Sequence, residues 1–231
     1  MSLKKCFVRF QTGLLVLSLL VFSCAKMGVD ESGFDPMYSK DGRSQLAIAT
    51  LRTQEGVRIL RLDPVSVGYI LNPEDVEGLP DGTRVFLQYQ SYSSDLPSFC
   101  TESVYIEWFS PVDTGTVSLT PAASFSCDPV DILTDWMTSL EDDFLTIHYL
   151  APSSGKVRHT FTLAPGVTPE EFILAHDAHG DTEAEATEGL VCFPVGDLLP
   201  DTGGETVTLT LTYYSLEKKQ KHLSVEYRSP E

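Results

Sequence analysis

The chain has 231 residues, of which 16 are basic and 33 acidic, for a formal net charge of −17, and 42% are hydrophobic. That length and apolar content suffice for one large or two small domains with a buried core. A surface this negative repels phosphate backbones and excludes nucleic acid as a partner.

In chain order, the first readable feature is a basic segment (Lys4, Lys5, Arg9) followed by an uninterrupted apolar run, Leu14 to Phe22, and then "SCAK". The run is too short to span a bilayer comfortably and ends in small residues, which reads as a signal peptide. Val21-Phe22-Ser23-Cys24 resembles a bacterial lipobox, although Phe22 is bulkier than the usual residue. The expectation is a cleaved lipoprotein signal peptide over residues 1–23 with lipid on Cys24. Lipid holds a protein to a membrane because each buried methylene adds ~0.8 kcal/mol. Residues 24–43 are polar and rich in Gly and Asp, so they read as a flexible tether. Many surface-exposed lipoproteins carry acids directly after the lipidated cysteine. Here the acids begin only at Asp30, which points to the outer membrane facing the periplasm, with surface exposure as the alternative.

With Cys6 cleaved off and Cys24 lipidated, Cys100, Cys127 and Cys192 remain. The oxidising envelope permits one disulfide among three possible pairings. Cys100 and Cys127, both in turn-like surroundings, are the candidate pair. Cys192 lies in the apolar run "GLVCFPV", where a buried thiol is ordinary. No CxxC spacing supports a zinc ribbon or a redox motif.

From residue 44 onward strand signals dominate. "LAIATLRT" and "VRILRLD" flank a hairpin turn at Gln54-Glu55-Gly56. "TRVFLQYQSY" alternates after Pro80-Asp81-Gly82, and "SVYIEWF" alternates again until Ser110-Pro111. "NPEDVEG" suits a single helical turn. Further on come "FLTIHYL", "VRHTFTL", "LVCFPV", "TVTLTLTYYS" and "HLSVEYR", each short and bounded by turn residues. In "TPEEFILAHDA", Thr168, Pro169 and Glu171 have the spacing of a helix start, but Phe172 to Ala175 reads as strand. This is the pattern of an all-β protein. Repeated prolines after Pro111 place a domain boundary near Asp113, giving domains over 44–113 and 114–231.

Several constellations could carry chemistry. His176, Asp177, His179 and Asp181 in "HDAHGD" are possible metal ligands, against the reading of a solvated turn. His148 and His159 would face each other if their strands formed a hairpin around Ser153-Ser154. Adjacent acids at Glu141-Asp142-Asp143 are expected to stay solvated. Trp108-Phe109, Trp136 and Tyr213-Tyr214 could stack on sugars, but Trp136 is expected to fill the second core and Trp108 to close the first. There is no Gly-x-Ser-x-Gly elbow and no Gly-rich phosphate loop after a strand, so no cofactor is implied.

The order of features resembles the NigD-like lipoproteins of Bacteroidetes. The stretches that carry the resemblance are "DGTRVFLQYQSYSSD", "ILTDWMTSLEDDFLTIHY", "FILAHDAHGD" with "GLVCFPVGDLL", and "TVTLTLTYYSLEKKQKHLSVEYR". Members tend to show a Trp segment followed by paired acids, as at Trp136, Asp142 and Asp143. They also tend to show a His-Asn-Ala-x-Gly-Asp-like segment, in which Asp177 here replaces the amide. The resemblance implies a small OB-like barrel followed by an immunoglobulin-like β-sandwich, and no catalytic residue.

The expected function is therefore a non-enzymatic cell-envelope lipoprotein. It would act as an interaction or structural module, bound to the membrane through lipid and to an envelope protein or glycan. A carbohydrate-binding accessory role is the alternative, which exposed Trp108 or Tyr side chains in a shallow groove would favour. A metal-dependent hydrolase around His176 and His179 is a distant third, which needs three or more ligands converging within ~4 Å of one point.

Overall fold

The computed structural model describes residues 39–92, 95–120, 127–182 and 185–229. The signal peptide, Cys24 and the tether up to residue 38 lie outside the described residues.

The first five strands are β1 (Ser39–Gln54), β2 (Val57–Arg61), β3 (Val67–Ile70), β4 (Arg84–Tyr92) and β5 (Glu102–Pro111). They close into a barrel in the order β1-β2-β3-β5-β4, with β3 and β5 parallel. That is an OB-like barrel, in which closure removes exposed strand edges. β1 and β2 meet at Gln54 and Val57, and the intervening Glu55 and Gly56 both have positive φ (53° and 79°). This is the two-residue turn whose twist matches the strands. Alternation sends Ala49, Leu51, Leu60, Val85, Leu87, Val104 and Ile106 into one core. A single 3-10 turn at Pro73–Val76 drops Val76 into the barrel. Just before it, the buried Asn72 amide exchanges two hydrogen bonds with the Ile106 backbone, as a neighbouring strand would.

At Val112 the chain leaves the barrel and forms two sheets. One runs β6 (Asp113–Thr114), β13 (Ala186–Pro194), β10 (Phe144–Pro152) and β8 (Asp131–Ile132), with β9 (Ser139–Glu141) also on β10. The other runs β15 (Gln220–Tyr227), β14 (Val207–Tyr214), β12 (Glu171–Asp177), β11 (Thr160–Pro165) and β7 (Thr116–Val117). Their inner faces share a core that includes Ile147, Leu163, Phe172, Leu174, Val191, Phe193, Leu209 and Leu211. The segment β6–β7 splits between the sheets at Gly115. A Cβ there would sit 2.2 Å from a ring carbon of Phe193, so only glycine passes.

One local expectation changes and one holds. β10 and β11 do not form a hairpin: β10 pairs with β13, whereas β11 pairs with β12. The chain between Pro152 and Thr160 crosses from one sheet to the other, which separates His148 from His159. Before β12, Glu171 Oε2 accepts the Val167 and Thr168 N–H groups at 3.1 and 3.4 Å. The capping interaction forms, but the chain continues as strand because Phe172 and Leu174 are needed in the core.

Barrel and sandwich join through polar and apolar contacts. The buried Arg84 of the barrel donates to Thr50 Oγ1 (2.9 Å), and across the junction to Thr146 Oγ1 (3.2 Å) and Glu141 Oε2 (3.3 Å). Arg52 donates to Asp142 Oδ2 at 3.1 Å. The acids of "LEDDF" are thus not merely solvated: two of them hold the barrel. Asp142 and Asp143, with φ of 50° and 65°, make the turn between β9 and β10 that presents them. Beside this seam, Val112, Phe144 and Cys192 form an apolar cluster onto which Phe86 and Leu190 pack.

Candidate functional site

The four candidate ligands of "HDAHGD" diverge. His176 ends β12 inside the protein, 1% exposed and stacked on Phe161 with ring centroids 4.6 Å apart. Its Nδ1 lies 3.3 Å from the Asp128 carbonyl and its Nε2 3.0 Å from His159 Nδ1. A carbonyl only accepts, so Nδ1 carries the His176 proton and Nε2 accepts from His159. Burial, and then the neighbouring His159, push the His176 imidazole below its ordinary value. Asp177 instead accepts the His179 N–H at 2.8 Å, an ordinary turn contact, while His179 Nε2 lies 3.2 Å from Thr160 Oγ1. Asp181 reaches a different turn, where Ser154 donates its N–H and hydroxyl at 2.7 and 2.8 Å and holds the carboxyl below its usual range. Among the described residues no group of three His, Cys, Asp or Glu side chains is placed to hold a metal ion.

Cys100 and Cys127 are not joined. Cys100 is buried beside Ile59 and Val67 of the barrel, whereas Cys127 is exposed on the segment leading into β8. They belong to different bodies, a separation that sequence spacing does not reveal. Cys192 is fully buried, as expected, and burial pushes its thiol up.

The aromatic residues overturn two expectations, and one of them lines a surface groove. Strand alternation would place Trp108 inside the barrel with Val104 and Ile106. Gln88 pairs with Trp108 but Tyr89 pairs with Ile106, so Glu107 is an extra residue in β5. Such a bulge reverses the facing of everything after it. Phe109 packs on the barrel core in its place, and Trp108 stands outside at 48% exposure. Trp136 lies between β8 and β9 at 54% exposure, outside the sandwich core. Phe86 joins the two indoles, at 5.6 Å edge-on to Trp108 and 6.2 Å from Trp136. Tyr213 packs against the sandwich core and offers no comparable platform.

Trp108, Phe86 and Met137 line a groove of about 470 Å³, whose far wall is His148, Glu188 and Leu190 on the outer face of the first sheet. His148 is buried and sits between two acids, with Nδ1 2.7 Å from Asp135 and Nε2 3.5 Å from Glu188. Partial burial alone would raise the Asp135 carboxyl, but hydrogen bonds from His148 and from the Met137 and Thr138 N–H groups outweigh it and hold the group low. The Asp135 contact fixes the ring and turns Nε2 toward Glu188 and the groove.

The model of the NigD-like C-terminal β-sandwich domain matches residues 115–227. The chain belongs to the NigD-like family. No curated protein matches the sequence. Among solved structures, a candidate toxin-related protein of Parabacteroides distasonis is 21% identical, with a TM-score of 0.68 over 80% of this chain and 94% of that one. A NigD-like immunity protein of Bacteroides caccae is 19% identical, with a TM-score of 0.58 over 80% and 97%. A candidate lipoprotein of Bacteroides fragilis is 12% identical, with a TM-score of 0.58 over 82% and 100%. At these identities the likeness shows the fold.

Within this NigD-like chain, sequence reading missed His159 as the partner of His176, and His148 as a groove residue. Both contacts join residues that pattern does not bring together: Asp135 and Glu188 meet at His148 only because β13 and the loop after β8 flank β10.

Proposed function

We propose that this NigD-like protein is a non-enzymatic lipoprotein of the cell envelope that holds a partner in the groove between its barrel and its sandwich. Lipid on Cys24 would anchor it at the outer membrane, facing the periplasm. One observation carries the reading: Trp108, a residue a core would readily bury, stands half-exposed in a concave groove between two joined bodies. Large aromatic side chains left out of a core in this way mark binding surfaces. The lipobox-like Val21 to Cys24 segment supports the anchor, and the presence of a candidate lipoprotein and an immunity protein among the structural neighbours is in keeping with a binding role in the envelope. The metal-dependent hydrolase loses its support because its four ligands point to different partners.

Two readouts test this. The Cys24→Ser variant of the full chain should leave the membrane fraction, and an unchanged membrane fraction contradicts the anchor. Isolated envelope should then retain that released variant, and retention should fall when Trp108→Ala is added. Retention indifferent to Trp108 contradicts the groove as the binding face.

A further inference from the structure

Strand β13 has an open stretch of edge beside the groove. It pairs with β10 along all 9 of its residues in unbroken register, but β6 covers its other side only at Val191 and Cys192. Among the described residues no strand lies beside Ala186 to Leu190 on that side. The Cys192 carbonyl accepts the Gly115 N–H there. Backbone groups repeat their direction at every second residue of a strand, so the Glu188 N–H and C=O face the same open side. Sheets usually guard such an edge with a lysine, a proline or a bulge. Ala186 to Leu190 has none of the three, whereas β15, the outer strand of the other sheet, carries Lys221.

We propose that this edge takes up an extended peptide of a partner protein as an added strand, with main-chain hydrogen bonds to Glu188 and with apolar and basic side chains in alternation. The proposal rests on reading the groove as the binding face and adds the class of partner and the way it is held. An added strand gains affinity from its backbone and specificity from pockets for alternate side chains.

The surroundings of the edge fit that occupant. Successive side chains of a strand point to opposite faces of its sheet, so an added strand needs room on both. Both faces of β13 have it. On the face of Leu190 lies the groove of about 470 Å³ with Trp108 and Met137, which suits apolar side chains. On the face of Thr187 lies a separate hollow of about 500 Å³, where Asp113 and Glu188 outnumber Arg158. The Arg158–Asp113 pair is exposed on both sides and therefore weak, which leaves a carboxylate for an incoming cation. The chain's net charge of −17 also draws a basic segment toward it.

The full chain carrying Cys24→Ser is titrated with octapeptides in which arginine alternates with valine, leucine or phenylalanine. Binding is read by tryptophan emission, because Trp108 is one of only two tryptophans. At least one peptide should shift the emission saturably with a Kd below about 1 mM. Glu188→Pro removes the edge N–H without breaking the ladder to β10, whereas Glu188→Gln removes the charge alone. The proline variant should bind about tenfold more weakly than the glutamine variant, read by calorimetry. On the unaltered edge, the same peptide N-methylated at every second residue should weaken to a like degree in one of its two frames, since it keeps its side chains and loses its pairing. No saturable response to any peptide overturns the added strand. So does equal binding by the two Glu188 variants, or undiminished binding by both N-methylated frames. A dimer of the full chain that Glu188→Pro dissolves would give the edge to a second copy and overturns the partner peptide. If envelope retention still depends on Trp108 in any of these cases, the manner of binding alone is wrong. If retention is also indifferent to Trp108, the binding face falls with it.

Discussion

The junction between barrel and sandwich has two ends built from opposite materials. At the closed end, a guanidinium that is almost completely buried meets Thr50, Thr146 and Glu141, and two further arginines approach Asp142. At the open end, Trp108 is left half-exposed in a groove walled by His148 and Glu188. Burying Arg84 costs desolvation, and burial pushes its guanidinium down while Glu141 opposes the shift. That expense is understandable if the closed end holds two bodies in register so that the open end keeps its shape. The comparison teaches that polar groups inside this junction fix geometry, whereas apolar groups outside it are available for recognition. In a fold stabilised only by apolar burial the assignment would be reversed.

The largest effect expected from breaking the comparison lies at the closed end. Arg84→Ala leaves Glu141 and two buried hydroxyls without their donor and should cost about 3–5 kcal/mol in urea denaturation. A change below about 1 kcal/mol would mean the seam holds nothing. Next comes Gly115→Ala, which forces a methyl against Phe193 where the chain divides between the sheets. It should cost about 1–3 kcal/mol, measured the same way.

A smaller effect concerns pH and sits away from both ends. His176 is buried with its imidazole held below the ordinary value of 6.5. The unfolded chain therefore takes up this proton first as pH falls, so stability drops below about pH 6.5 and is regained above it. The melting temperature should fall between about pH 7.5 and about pH 5.5, and His176→Phe, which keeps the stack on Phe161, should flatten part of that slope. An unaltered slope would show that His176 does not titrate on unfolding.

How much of this was legible in the sequence follows from the range of each interaction. The strands were readable from alternation because each carries its own periodicity, and the Glu55-Gly56 turn announced its hairpin. Trp108 was misplaced by a single bulged residue, Glu107, since alternation gives no sign of an insertion. Trp136 was misplaced because a tryptophan in a turn-rich stretch reads as core, while in fact it lies against Phe86 from another body. The acids at Glu141 and Asp142 looked solvated because their partners, Arg84 and Arg52, stand 57 and 90 residues away. The histidines of "HDAHGD" suggested a shared ligand by spacing alone, whereas strand β12 buries the first and the following turn carries the second outward.

Trp108→Ala gives the most direct test, because it separates recognition from stability at one residue. The full chain with and without the substitution, both carrying Cys24→Ser, is compared by urea denaturation and by retention on isolated envelope. Stability is expected to stay within about 1 kcal/mol, since the side chain is half in solvent, while retention is lost. A loss of about 3 kcal/mol or more with retention intact would make Trp108 a core residue and remove the open end of the junction as a binding face.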